Sequence, residues 1–314
     1  MSDDDEEAPE EIIEEDWRTR AEAVITGGAS TGSKRFAALF GPAHDAMPSH
    51  FVRASGCRLW TTEGQEIIDC TMALGSVAIG YADAAITHAV SQAAAEGNVA
   101  GLSNVREVEI AERLSDVIPC AERVRFLKSG AEGVAAAVRI ARAHTGRTRV
   151  LGCGYFGWLD WWCGGPGVTA GAHADFTAIP FDDITALEAA ASEAGDALAA
   201  IVIEPVIERL PSTAWVEAAR AICDERGAVL IFDEMKTGFR LRTGGYQEYA
   251  AITPDIAVFG KALANGYPLS AIVGREAVMR AAAECWISST LAGESVALAA
   301  AGAVLEGHAQ AEVC

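Results

Sequence analysis

Positive charge is scarce in this sequence. Its 314 residues carry 24 Lys and Arg against 44 Asp and Glu, a formal net charge of −20. A surface of that sign repels phosphate backbones and anionic bilayers, so neither nucleic acid nor membrane is an expected partner. Histidines number only 6, and none stands at zinc-ligand spacing from a cysteine. The cysteines (Cys57, Cys70, Cys120, Cys153, Cys163, Cys223, Cys285 and Cys314) are scattered without a CxxC pair. That pattern argues against a metal site and a disulfide framework, and predicts reduced thiols in a cytoplasmic protein. Long apolar runs are missing too, each being broken by charge or glycine before it reaches spanning length. No basic start followed by an apolar stretch is present, so no secretory signal is expected. The acidic run over residues 1–16 reads as a solvated, disordered tail.

What is present suits a soluble globular enzyme: 51% of the residues are apolar and 22% charged. The length is enough for a large core. There is no internal repeat. Residues 17–53 are mixed and glycine-rich, with few clear elements, and 57–69 reads as two short strands around a turn at Glu63-Gly64. Helical spacing of apolar residues follows over 84–96 and 107–117. Beyond that the pattern alternates. Strands are predicted over 124–127, 149–153, 199–203, 228–232, 255–259 and 270–273, and helices over 131–144, 184–193 and 213–225. Apolar strands alternating with amphipathic helices predict an α/β fold, a mostly parallel sheet covered on both faces. In such sheets ligands bind beyond the carboxyl ends of the strands.

Four short segments stand at such ends. In Val258-Phe259-Gly260-Lys261 a lysine closes an apolar strand. Most lysines are surface charges. One at the end of a buried strand is desolvated, which depresses its pKa and makes it a fit nucleophile for Schiff-base chemistry. In Ile231-Phe232-Asp233-Glu234 a carboxylate closes another apolar strand. Alone it suits a helix cap or a metal; with Lys261 it suits a partner for a protonated pyridine nitrogen. Lys128-Ser129-Gly130-Ala131-Glu132 is a tight turn into a helix, where backbone N–H groups and the helix dipole can hold a phosphate. Gly152-Cys153-Gly154-Tyr155-Phe156-Gly157 matches the GxGxxG count of dinucleotide sites. The following Trp158-Leu159-Asp160-Trp161-Trp162 is a poor start for the helix such a site needs. Tyr155 reads better as an aromatic presented to stack on a flat ring.

Together, from about Gly56 to Glu306, these segments resemble the class III aminotransferases of pyridoxal phosphate (PLP) fold type I, including the glutamate-1-semialdehyde aminomutases. Asp233-Glu234-Met235-Lys236-Thr237-Gly238-Phe239-Arg240 is similar to the family's Asp-Glu-Val-x-Thr-Gly-Phe-Arg segment, and Thr253-Pro254-Asp255 is also family-like. The resemblance implies PLP as cofactor, with Lys261 as its Schiff-base lysine and proton shuttle and Asp233 as partner of the pyridine nitrogen. It implies that Met235 and Tyr155 lie on the two ring faces, and that the turn Ser129, Gly130 and Ala131 receives the phosphate. Thr290 would reach the phosphate of a partner subunit, hence a homodimer. Gly75 and Ser76 would line the substrate mouth, and Glu204-Pro205 would end another central strand. The implied domains are a segment over 17–70 contributing to a small domain, a PLP-binding large domain over 71–306, and the start of a truncated C-terminal domain over 307–314.

The sequence departs from the family at Phe156, where His is frequent, and at Ala131, where a hydroxyl residue is usual. It also stops about a hundred residues earlier than most members. The expected activity is amino transfer between a small-molecule amine or amino acid and a keto acid or aldehyde. The alternatives are an aminomutase, which moves the amino group within one molecule, and a PLP-binding protein without turnover.

Overall fold

The computed structural model describes residues 16–42, 47–311 and 313. The acidic run expected to be disordered lies outside the described residues, apart from Asp16, as do positions 312 and 314. The chain divides into two compact units, with the boundary between Cys70 and Thr71.

In the first unit, Asp16 caps α1 (Trp17–Val24) by accepting the Thr19 N–H at 3.0 Å. A short α2 (Phe36–Phe40) follows. Then come β1 (Phe51–Ser55), β2 (Arg58–Thr61) and β3 (Glu66–Ile68), an antiparallel sheet in the order β1-β2-β3. The expected hairpin is β2 and β3; β1 is additional. Its Phe51 and Val52 stay exposed and only Ala54 is partly covered. It therefore lacks the in-out alternation by which a strand is recognised.

The second unit begins with α3 (Met72–Gly75), α4 (Ala84–Glu96), α5 (Val105–Val117), β4 (Arg123–Leu127), α6 (Gly130–Thr145), β5 (Arg149–Cys153) and β6 (Phe176–Ala178). It continues with α7 (Ile184–Ala194), β7 (Leu198–Ile203), α8 (Thr213–Arg226), β8 (Val229–Asp233) and α9 (Tyr246–Ala250). The last elements are β9 (Ile256–Phe259), β10 (Ser270–Gly274), α10 (Glu276–Met279) and α11 (Ser295–Gln310). The strands form one sheet in the order β4-β10-β9-β8-β7-β5-β6. Only β10 runs antiparallel to its neighbours. The carboxyl ends of β4, β5, β7, β8 and β9 therefore share one edge of the sheet.

The central strands are apolar throughout because alternate residues enter two different cores. Val150, Val202, Ile231, Val258 and Ile272 pack on the side of α6. Leu151, Ile201, Leu230, Phe232 and Phe259 pack on the side of α5, α7, α8 and α11. Each such side chain contributes about 1.5–3 kcal/mol on full burial.

Helix α6 begins with a capping box. The Ser129 hydroxyl meets the Glu132 N–H at 3.3 Å, and the Glu132 carboxylate accepts the Ser129 N–H at 2.9 Å. It ends at Gly146, which is left-handed at φ 67°. Between them Gly133 brings the helix backbone close to the sheet: a Cβ there would lie 2.6 Å from Val258 Cγ1.

Strand β6 and helix α11 are among the elements for which no range is predicted. Strand β6 is three residues long. Helix α11 is Ala-rich and apolar around much of its circumference, so no single stripe marks it; it is buried against α4, α5 and the turn at Lys261–Ala264. No α-helix or strand occurs between β5 and β6. The GxGxxG match therefore lacks the helix that a dinucleotide pyrophosphate requires.

Candidate active site

Strands β8 and β9 lie side by side, with Asp233 opposite Val258, so Asp233 stands three positions before Lys261 on the neighbouring strand. Asp233 is 3% exposed. Among the described residues it accepts one hydrogen bond, from the Met235 N–H at 3.0 Å. Burial pushes its carboxyl up to about 7 against that bond, and the nearby Glu204 charge adds to the rise. Lys261 opens a 3₁₀ turn with φ 48°. Burial holds its amine below the ordinary lysine range. The Lys236 and Arg240 cations act in the same sense, and the Asp233 and Glu204 carboxylates oppose them. The turn is fixed from beneath by buried Leu263 and Ala264, which α11 covers. It is fixed laterally by Asn265, whose Oδ1 accepts the Ala78 and Ile79 N–H groups at 2.9 and 3.0 Å and whose Nδ2 donates to the Gly80 carbonyl at 2.9 Å.

The other expected residues gather around this pair through glycines. The Met235 side chain lies between Gly130 and Gly260: added Cβ atoms would stand 2.8 and 2.5 Å from its Cε. Met235 thus touches both the α6 entry turn and the residue before Lys261. Gly157, at φ 87°, brings the loop after β5 onto that entry turn; its Cβ would lie 2.3 Å from Ala131 Cβ. Tyr155 is 62% exposed there and is braced edge-on by Trp162 at 5.8 Å. Trp162 in turn donates its indole N–H to the Gly157 carbonyl at 2.9 Å. In the entry turn Ser129 spends its hydroxyl and N–H on the Glu132 cap. The first intrahelical bond is made by Gly133 to the Ser129 carbonyl at 3.0 Å. The Gly130 and Ala131 N–H groups precede it and, among the described residues, are left for an anion.

Gly75 and Ser76 lie at an unusual bend. Met72, Ala73, Leu74 and Gly75 all have positive φ, between 45° and 75°. Arg240 holds the bend by donating to the Gly75 carbonyl at 2.6 Å, and Ser76 Oγ donates to the Ala73 carbonyl at 2.5 Å. Thr290 is exposed. It lines a cavity of about 240 Å³ with residues 97–104, Glu107 and Gly293, a lining that does not include Lys261. The described residues contain no cluster of three or more His, Cys, Asp or Glu able to hold a metal ion. No helix among them is long and apolar enough to cross a membrane.

The model of the family described as aminotransferase class-III matches residues 39–157 and 169–314. The chain belongs to the class III aminotransferase family. A glutamate-1-semialdehyde 2,1-aminomutase of Rhodopirellula baltica is 34% identical over 308 residues, covering 91% of this chain and 69% of that protein. The FumI protein of Sphingopyxis sp. MTA144, solved in a PLP form, superposes with a TM-score of 0.88 at 29% identity, over 94% of this chain and 72% of the other. An omega-transaminase from Sphaerobacter thermophilus superposes with a TM-score of 0.84 at 26% identity, over 93% and 72%. The mostly parallel sheet with flanking helices is thus the large-domain fold of the fold type I transferases, as expected from the resemblance.

Within this candidate site, the sequence assigns no role to Asn265, Lys236 and Arg240, and no chemistry to Glu204. Lys236 had one signal, a charge two residues after the strand-end carboxyl-bearing pair. Asn265 had another, a residue tolerant of left-handed backbone beside a glycine, observed at φ 47°.

Proposed function

We propose that this chain is a PLP-dependent aminotransferase in which Lys261 is the reactive amine. The observation that carries the reading is the Met235 wedge, with the Lys261 turn on one side and the free N–H groups of α6 on the other. The residues present fit the cofactor. A half-buried amine of lowered basicity matches an aldehyde. A buried carboxyl with one donor has capacity for a pyridinium N–H. A helix entry with two free amides matches a phosphate. The wedge and Tyr155 supply an apolar and an aromatic wall.

PLP supplies an aldehyde carbon and a protonated ring that accepts the electron pair left when a substrate C–H proton departs. Lys261 Nζ, whose basicity burial lowers, would hold that carbon. The same amine would be the group that holds and moves a proton at the substrate carbon. Asp233 would hold the ring nitrogen protonated. The Gly130 and Ala131 amides, in a turn that Ser129 rigidifies by its cap, would hold the phosphate. Met235 and Tyr155 would bracket the ring. Gly75 and Ser76 would border the substrate, and Thr290 would serve the site of a second copy in a homodimer.

Lys261→Ala tests the assignment: the visible absorbance formed on mixing with PLP should vanish, and an unchanged spectrum refutes it. The names of the curated relatives support a second reading, an aminomutase. The two part on one assay. Turnover that requires an added keto acid marks a transaminase. Isomerisation of a single amino aldehyde without an acceptor marks the mutase.

A further inference from the structure

Glu204 follows β7 and is 3% exposed. Its Oε2 accepts the Tyr155 N–H at 3.1 Å. Its stem is crowded by Gly154, where an added Cβ would lie 2.5 Å from Glu204 Cβ. The carboxylate is thus buried and tethered by a backbone amide, and a buried carboxylate held this way demands a cation. Glu204 follows Ile203, which lies opposite Phe232 on β8, so it stands level with Asp233 at the same strand ends that lead to Lys261, and two lysines share this region with it. One, Lys236, is half-exposed and makes the ion pair to Glu204 Oε1. That oxygen has no other hydrogen-bond partner among the described residues. The other, Lys261, makes no ion pair or hydrogen bond among the described residues. The remaining nearby cation, Arg240, is committed to the Gly75 carbonyl.

We propose that Lys236 is a positioning residue that occupies the Glu204 carboxylate and so keeps the Lys261 amine from being captured there. The inference rests on the reading of Lys261 as the reactive amine. The charged groups whose fields act on Lys261 are Lys236, Asp233, Glu204 and Arg240. Removing Lys236 deletes one of the two cations and leaves Glu204 without its partner, so Lys261 becomes the replacement. An amine held as a buried ammonium–carboxylate pair has no lone pair to offer.

The test compares Lys236→Met, Lys236→Arg, Glu204→Gln and Lys236→Met/Glu204→Gln in the full chain. Cofactor-free protein is reductively methylated with ¹³C-formaldehyde. The Lys261 signal, assigned by its absence in Lys261→Ala, is then followed by NMR against pH. Lys236→Met should raise the Lys261 midpoint by about one pH unit, about tenfold less free amine near neutrality. Lys236→Arg should leave it in place, and the double substitution should bring it back to the wild-type value or below. Glu204→Gln alone should lower it, which keeps the test alive if Lys236→Met fails to fold. An unmoved or lowered midpoint in Lys236→Met, or an unmoved one in Glu204→Gln, overturns the proposal. Retention of PLP absorbance by Lys261→Ala instead overturns the reading beneath it, so the two failures are distinct.

Discussion

Replacing Asp233 by asparagine in the cofactor-free protein should change how stability depends on pH. An ordinary aspartate titrates near 3.8, whereas burial holds Asp233 near 7 in the folded chain. The folded state therefore binds a proton that the unfolded state has already lost. The sign follows directly: stability contributed by this group is present below the unfolded value and is lost as pH rises through the folded one. At one pKa unit per 1.36 kcal/mol, the loss between pH 5 and pH 8 is about 3 kcal/mol. Asparagine does not titrate, so its own desolvation cost is an offset that does not vary with pH. Other buried carboxyls, such as Glu234, whose pKa burial also raises, are common to both proteins and cancel in the difference. Urea unfolding of wild type and Asp233→Asn at pH 5, 6, 7 and 8 reads the effect as a stability difference that moves by about 3 kcal/mol in favour of the variant as pH rises. A difference that stays flat across that range would refute the burial argument. It would mean that Asp233 is ionised throughout and finds a cation or water not accounted for. Saturating PLP should flatten the wild-type curve, since a pyridinium N–H favours the ionised carboxylate.

Three further outcomes follow from the packing. Gly157→Ala places a side chain at φ 87° and against Ala131; it should cost about 2–4 kcal/mol in urea unfolding and weaken PLP binding measured by titration, because the Tyr155 loop must lift off the α6 entry. Asp255→Ala removes the acceptor of the Leu230 N–H at 2.8 Å and the partner of half-buried Arg220 at 2.9 Å; a loss of about 3 kcal/mol without a change in PLP affinity per folded molecule is expected from the same two assays. Among the described cysteines, exposed Cys57 and Cys70 should react with a thiol reagent at pH 8 in the native protein. Buried Cys120 and Cys223, both pushed up to about 12 by burial, should react only after unfolding, as peptide mapping would show.

Much of this protein is legible in one dimension. Strands β5, β7, β8, β9 and β10 are apolar on both alternating faces because each must fill two cores, and that demand is visible in any one of them. The strand-end residues Asp233 and Lys261 are equally visible, since polar groups that close apolar runs stand out. What one dimension cannot carry is which ends are neighbours and which polar groups compete for one another. β8 lies beside β9 because of sheet order, and that adjacency alone brings the two residues together. The Met235 wedge, the Asn265 tie to residues 78–80, and the choice of Lys236 over Lys261 as partner of Glu204 all join segments distant in the chain. The first and last of these rest on close approaches at glycines 130, 154 and 260. Strand β1 and helix α11 were hidden for the opposite reason. Their burial is either nearly absent or nearly all-round, so neither leaves the periodic pattern by which a sequence announces its elements.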